Sequence, residues 1–321
     1  MEVITPALRL FRSILRIRRV EEALAERYAE QEMRCPMHLC IGQEAIAVGV
    51  CETLKTSDRV FSNHRAHGHY LAKGGDLNAM VAEIYGRATG CCGGRGGSMH
   101  LIDLGAGFMG ATPIVGGTIP LAVGAAWSAS LLDKNYVTVV FFGDGCFEEG
   151  VMHESLNFAA LHKLPIVFVC ENNDFSVYTR LDERQPDRPI YRLARAHGMA
   201  AYSGNGNNVE EVLSLSTEAI NAARQGLGPQ FLEFHTYRWR EHCGPNFDDE
   251  LAYRSMDEIE AGKHACPLVD YEKKLKQKDK QFADNVETFE AEINEEILAA
   301  FEYALSSEKP SVLDAERKIY V

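Results

Sequence analysis

The stretch FFGDGCFEEG, residues 141–150, sets Asp144 between two glycines directly after the apolar run YVTVVFF at 136–142. A second apolar run, LPIVFVC, occupies residues 164–170. Both runs are continuous instead of alternating between apolar and polar residues, a pattern typical of strands that are buried on both faces, as in a parallel sheet. The two runs therefore predict an α/β fold, with a parallel sheet and helices on both of its faces.

The segment between the runs brings polar side chains to one edge of this sheet. Between Gly145 and Asn172 lie 26 residues, about what a turn, a helix and a short strand require. Parallel strands end at the same edge, so we expect Asp144 to lie close to Asn172 and Asn173. One carboxylate with amide and carbonyl oxygens favours Mg²⁺ that is shared with a diphosphate. The alternative interpretation is that Asp144 caps the next helix and that the asparagines form a turn.

The rest of the sequence predicts one domain over residues 1–321, with helical additions at both ends. The glycine-rich segment 86–117 carries apolar residues throughout, which favours backbone lying against a ligand over a linker. Hydrophobic periodicity predicts helices at 1–28, 42–54, 76–88, 118–132, about 148–162, 191–199, 209–225 and 283–311. Further strand-like pieces occur at 59–62, 99–104 and 228–238.

Composition excludes several classes of function. The formal net charge of −13 argues against nucleic acid or an anionic membrane as the main partner. No apolar run approaches the roughly 20 residues of a spanning helix, and the N-terminal sequence lacks the pattern of a signal peptide. The nine cysteines form no C-x-x-C pair and no zinc-type spacing, which suits a reducing compartment. We therefore expect a cytoplasmic protein without a membrane segment.

The sequence supports neither of two common nucleotide-binding motifs. The stretch GAGFMG, residues 105–110, matches G-x-G-x-x-G, but a dinucleotide-binding turn must open directly into a helix. Pro113 and two glycines stand where that helix would begin. No G-x-x-x-x-G-K-[ST] sequence is present, so neither nicotinamide binding nor a P-loop enzyme is supported.

The flanking sequences resemble a known family. The pair GDG and NN resembles the thiamin-diphosphate-binding motif. HLCIGQEAIAVGV, HRAHGHYLAKG, GRATGCCGGRGGSMHL and IVGGTIPLAVGAA are similar, in the family's order, to the α subunit of the heteromeric 2-oxo acid dehydrogenase first component. The resemblance covers roughly residues 10–260, and within the family the acetoin dehydrogenase α subunit is most similar. It implies the thiamin-diphosphate-binding fold.

The resemblance also implies roles for particular residues. It implies Mg²⁺ held by Asp144, Asn173 and the backbone carbonyl of Phe175, and a diphosphate that contacts Arg65, Gly145 and Cys146. Val115 would present its backbone to the aminopyrimidine ring. His38, His64 and His242 match active-site histidines. His64 also belongs to the cofactor-binding set and stands where many pyruvate enzymes carry tyrosine. On the residues alone, a surface or core role would be favoured for His38 and for His242, and the match to the family motifs favours the active-site role instead.

The resemblance implies a partner. The glutamate that activates the cofactor belongs to a second pyrimidine-binding domain that this sequence does not contain, so a β subunit would supply it in an α2β2 heterotetramer. The substrate would be a 2-oxo acid or acetoin, and the acyl or aldehyde unit would pass to the lipoyl group of an acyltransferase. Two alternatives stay open: a two-chain carboligase that acts on a sugar or aldehyde without a lipoyl partner, and a non-catalytic binding subunit. Pro113 and REHCGP, residues 240–245, depart from the pyruvate pattern and leave the substrate open.

Overall fold

The computed structural model describes residues 4–278 and 281–313. The strands of these residues are β1 (Arg59–Ser62), β2 (Phe108–Ala111), β3 (Thr138–Gly143), β4 (Ile166–Asn172), β5 (Phe175–Ser176), β6 (Thr179–Arg180), β7 (Ala200–Asn205) and β8 (Gln230–His235). Six of them form a parallel sheet in the order β2-β1-β3-β4-β8-β7, and β5 pairs with β6 in a small antiparallel hairpin.

Helices cover both faces of this sheet. They are α1 (Pro6–Arg27), α2 (Glu44–Cys51), α3 (His67–Ala72), α4 (Leu77–Ile84), α5 (Thr118–Leu131), α6 (Gly150–Leu161), α7 (Leu181–Arg184), α8 (Ile190–Ala196), α9 (Val209–Arg224), α10 (Met256–His264), α11 (Pro267–Lys276) and α12 (Phe282–Ser306). Short 3₁₀ turns lie at Tyr28–Glu30, Gly97–Met99, Asp144–Glu148 and Asp249–Leu251.

Successive residues of β3 pack into different cores. Val139 and Phe141 join helices α1, α2, α4, α9 and α12 on one face of the sheet. Val140 and Phe142 join α5, α6 and α8 on the other face. Because side chains alternate along a strand, a strand with apolar residues at every position must be covered on both faces. The predicted α/β class, with helices on both faces, is therefore confirmed.

The helix predicted from about Glu148 begins later. The segment Asp144–Glu148 forms a 3₁₀ turn, Glu149 has an extended backbone with φ −81° and ψ 130°, and α6 starts at Gly150. The prediction that Glu148 and Glu149 form the first α-helical turn is wrong. Glu148 forms an ion pair with Arg184 instead.

Several elements differ from the sequence prediction. β7, with the sequence AAYSGN, was not predicted, because it is an edge strand whose residues are small or polar and only partly buried. Helices α10 and α11 were also missed. The strand-like piece at 99–104 contributes only an isolated bridge from Asp103 to Phe108, and β2 lies inside GAGFMG instead. Among the described residues, the next helix after β2 begins only at Thr118, so GAGFMG does not open directly into a helix as a dinucleotide-binding turn must.

Several predictions concern the chain as a whole. Within the described residues no helix is long and apolar enough to cross a membrane. All nine cysteines are free thiols. The first three residues of the predicted N-terminal helix lie outside the described residues. The single domain over residues 1–321 stays a prediction.

Candidate active site

The predicted site residues meet in one cleft at the carboxyl edge of the sheet. The chain leaves β1 at Ser62, β3 at Gly143 and β4 at Asn172, and these three strands are neighbours. The cleft measures about 1000 Å³ with its open mouth. Its lining includes His38, His64, Arg65, Val115, Asp144, Gly145, Cys146, Asn173, Phe175 and His242. The cleft thus brings together the ten residues to which the family resemblance gave roles.

Asp144 forms an oxygen-rich corner of this cleft. Asp144 is 1% exposed, and its Oδ2 atom forms an ion pair with Arg184. Its Oδ1 atom is buried with no hydrogen-bond partner in the described part of the chain. Burial raises the pKa of the Asp144 carboxyl, and the Arg184 guanidinium opposes that rise. A buried carboxylate oxygen without a donor fits a hard cation such as Mg²⁺.

The two asparagines after β4 have different surroundings. Asn172 is buried, donates from Nδ2 to Glu233 at 2.8 Å and accepts from the Asp174 amide at 3.0 Å. Asn173 lines the cleft, and its Oδ1 accepts from the Phe175 amide at 3.2 Å. Only the second asparagine is therefore directed to the cleft. The expectation that Asn172 also contributes to the oxygen site is not supported by this geometry.

Arg65 provides a buried positive charge in the same cleft. Arg65 is 5% exposed, and its guanidinium donates to the carbonyl oxygens of Leu39 and His242, the latter at 3.1 Å. In residues 4–278 and 281–313 no carboxylate lies within ion-pair distance of its guanidinium. Burial and the nearby charge of Arg238 lower the pKa of Arg65 to about 10, so it is still charged at neutral pH. An unpaired buried guanidinium fits an anionic ligand.

His38, His64 and His242 form a cluster beside Arg65. Their ring centroids are 4.8, 5.1 and 5.3 Å apart. Burial, followed by the positive charge of Arg65, lowers the pKa of His38 to about 3, of His64 to about 2 and of His242 to about 3. The Nδ1 atom of His38 is buried and has no partner among the described residues. The cleft thus contains three neutral imidazoles that can accept a proton or a hydrogen bond.

The low pKa values make a testable prediction. Because the unfolded chain binds protons at these histidines below about pH 6.5 and the folded chain does not, the cluster lowers the free energy of unfolding as the pH falls from about 6.5 towards 3. Above about pH 6.5 it has no such effect. NMR titration of the imidazole resonances, assigned with single His→Gln variants, should show all three rings neutral at pH 5. A midpoint above pH 5 for any of them would contradict the assignment.

Two other histidines hold the loop that carries His64 and Arg65. The ring of His67 contacts Glu21 at 2.5 Å through Nδ1 and Ser98 at 2.9 Å through Nε2. The ring of His69 bridges Ser62 at 2.8 Å and Glu171 at 3.0 Å. These four contacts fix the loop between β1 and α3 in place. His67 and His69 are fully or almost fully buried, so their role is to position the loop.

Sequence reasoning missed several residues of the cleft. Arg184 contacts Asp144, and Glu171 and Arg238 line the cavity. Arg184 lies in TRLDERQ, residues 179–185, which matches no motif. For Glu171, the signal was its place in ENND, directly before the two asparagines. Apart from the family resemblance, no sequence signal distinguishes His64 from His67 and His69, since all three histidines lie within HRAHGH, residues 64–69.

Comparison with known proteins places this chain in a family. A model of the dehydrogenase E1 component family matches residues 12–313. The chain belongs to the dehydrogenase E1 component family. The α subunit of acetoin:2,6-dichlorophenolindophenol oxidoreductase from Bacillus subtilis (strain 168) is 42% identical over 252 residues, which cover 78% of this chain and 75% of the relative. The dehydrogenase E1 family is dependent on thiamin diphosphate.

Two further relatives align along nearly the whole chain. The corresponding acetoin oxidoreductase α subunit of Cupriavidus necator is 34% identical over 314 residues, covering 98% of this chain and 94% of the relative. The pyruvate dehydrogenase E1 component α subunit of Rickettsia bellii is 32% identical over 311 residues, covering 97% and 94%. The E1 family therefore includes relatives named for acetoin and relatives named for pyruvate, and this chain is similar to both.

Proposed function

We propose that this chain is the α subunit of a heteromeric thiamin-diphosphate-dependent dehydrogenase of the acetoin or 2-oxo acid type. With a β subunit, in an α2β2 assembly, it would cleave the bond next to the substrate's carbonyl carbon and pass the acyl or aldehyde unit to a lipoyl acceptor. The observation that carries this proposal is that one cleft contains both the Asp144 Oδ1 atom, which has no hydrogen-bond partner among the described residues, and the Arg65 guanidinium, which has no carboxylate partner among them. A metal diphosphate requires both kinds of group.

Each cleft residue has a role in this proposal. Asp144, Asn173 and the carbonyl of Phe175 would hold Mg²⁺. Arg65, with Gly145, Cys146 and His64, would bind the diphosphate end of the cofactor, and Val115 would present its backbone to the aminopyrimidine ring. When bound, thiamin diphosphate supplies a carbanion that adds to a carbonyl and stabilises the charge left by the departing carbon.

The histidines would handle protons. The rings of His38, His64 and His242 are neutral at pH 7, so each has a free nitrogen that could accept a proton from a substrate hydroxyl and return it to a carbonyl oxygen. The two nearby guanidiniums, Arg65 and Arg238, oppose a lasting positive charge on these rings. A proton taken up in one step would therefore be released readily in the next. The cytoplasmic location and the lipoyl acyltransferase partner stay predictions.

Reconstitution tests the proposed function. The purified chain alone, with Mg²⁺ and thiamin diphosphate, should not reduce 2,6-dichlorophenolindophenol with acetoin or pyruvate as the donor. Addition of the cognate β subunit should produce that activity, because that subunit would supply the activating glutamate. Dye reduction by the chain alone at an enzymatic rate would contradict the α-subunit assignment. A complex that assembles and binds the cofactor but reduces no dye with any 2-oxo acid or acetoin would favour the carboligase.

A further inference from the structure

The guanidinium of Arg184 lies against the proposed metal-binding carboxylate. Its Nη2 atom forms an ion pair with Asp144 Oδ2, and its Nη1 atom forms one with Glu148. The Arg184 side chain is 10% exposed and that of Asp144 is 1% exposed. In the described part of the chain no other cationic side chain pairs with Asp144. The charge of this carboxylate is therefore balanced by one arginine.

Arg184 and two of the proposed metal ligands, Asn173 and Phe175, belong to one short segment. Asn173 and Phe175 begin it, the hairpin β5–β6 follows, and α7 ends it at Arg184. The Leu181 amide donates to the Asp174 carbonyl at 2.8 Å and closes the segment into a loop. The Arg184 Nε atom donates to the Thr179 carbonyl at 3.1 Å. The backbone thus holds the guanidinium at the place where the ligands converge.

Gln185 adds to this arrangement. Its Nε2 atom donates to Glu148 at 3.0 Å and to the Asp144 carbonyl at 3.5 Å. The end of the loop is therefore bound to the 3₁₀ turn that carries Asp144, through Arg184 and Gln185 together. A cation bound at the unpartnered Oδ1 atom of Asp144 would lie beside the Arg184 guanidinium on Oδ2, whereas the hydrogen bond from Gln185 to Glu148 does not involve this carboxylate.

We propose that Arg184 occupies the Asp144 carboxylate when no cation is bound and sets the affinity of this chain for the divalent ion. This inference rests on the proposed function, since it takes Asp144 as a metal ligand. A guanidinium and a divalent cation on one buried carboxylate repel each other strongly, because the surroundings screen them poorly. The ion therefore displaces Arg184 from Oδ2, and the cost of that displacement weakens cation binding. Glu148 remains as the partner of the displaced guanidinium.

Manganese binding tests the inference with a readout that is independent of catalysis. Electron paramagnetic resonance counts free Mn²⁺ during titration of the full chain with its β subunit and thiamin diphosphate. We expect Arg184→Gln to lower the Kd for Mn²⁺ at least about tenfold, the factor that about 1.4 kcal/mol gives. Arg188→Gln is the matched control. It makes the same change of charge at an exposed position four residues further along the chain, so it should bind Mn²⁺ like the wild type.

Further variants separate the possible outcomes. Arg184→Lys keeps a positive charge beside Asp144 and should bind Mn²⁺ more weakly than Arg184→Gln does, which also covers the case in which the glutamine variant folds poorly. Equal or weaker Mn²⁺ binding by Arg184→Gln overturns the inference alone, provided that Asp144→Asn abolishes binding. Mn²⁺ binding that survives Asp144→Asn overturns the proposed metal site and the inference with it.

Discussion

Replacement of Asp144 by alanine is expected to abolish the Mg²⁺-dependent binding of thiamin diphosphate and to leave the fold intact. The cleft has two buried carboxylates, Asp144 and Glu171. Glu171 is held by the ring of His69 at 3.0 Å, whereas Asp144 has an unpartnered Oδ1 atom. A site with so few charged ligands cannot hold Mg²⁺ once its carboxylate is removed. Isothermal titration of the α–β complex with thiamin diphosphate, with and without Mg²⁺, measures the loss.

The control for this variant is Glu149→Gln. It removes an acidic charge from an exposed residue five positions further along the chain, outside the cleft lining. Its cofactor affinity should equal that of the wild type, and the far-UV circular dichroism of both variants should be unchanged. Undiminished Mg²⁺-dependent binding in Asp144→Ala would refute the assignment of the metal site.

The sheet could be predicted where burial leaves a strong pattern. β3 and β4 were found because strands at the centre of a parallel sheet are apolar at every position. β7 was not found, because an edge strand needs no such run and its sequence AAYSGN has the composition of a turn. The start of α6 was misplaced by two residues, since the 3₁₀ turn at Asp144–Glu148 depends on contacts with a distant loop.

The site could be predicted where topology alone places a residue. Asp144 and Asn173 follow adjacent parallel strands, so the sheet brings them to one edge. The separation of Asn172 from Asn173 could not be foreseen, because it depends on the hydrogen bond from Asn172 to Glu233, which lies on another strand. The same holds for Arg184. Its contact with Asp144 results from the path of a loop and has no signature in the local sequence.

Replacement of Arg65 by glutamine is expected to weaken thiamin diphosphate binding by at least about 100-fold. A forked guanidinium makes charge-assisted hydrogen bonds to phosphate oxygens, each of which contributes about 1.5–3 kcal/mol, and glutamine supplies none of that charge. Titration of the α–β complex with the cofactor at saturating Mg²⁺ measures the change. Arg65→Lys keeps the charge but not the fork, so its affinity should lie between those of the wild type and Arg65→Gln.

The thermal stability of the ligand-free Arg65→Gln variant distinguishes a binding role from a structural one. Arg65 stabilises two loops through its bonds to the carbonyls of Leu39 and His242, yet its charge is buried without a carboxylate partner among the described residues. Removing the side chain loses those bonds and also removes the desolvation cost of the charge, so the two effects oppose each other. We therefore expect a small change in Tm together with a large loss of cofactor affinity. A steep fall in Tm with unchanged cofactor affinity would show that Arg65 is a structural residue. The buried charge of Arg65 would then contribute nothing to cofactor binding.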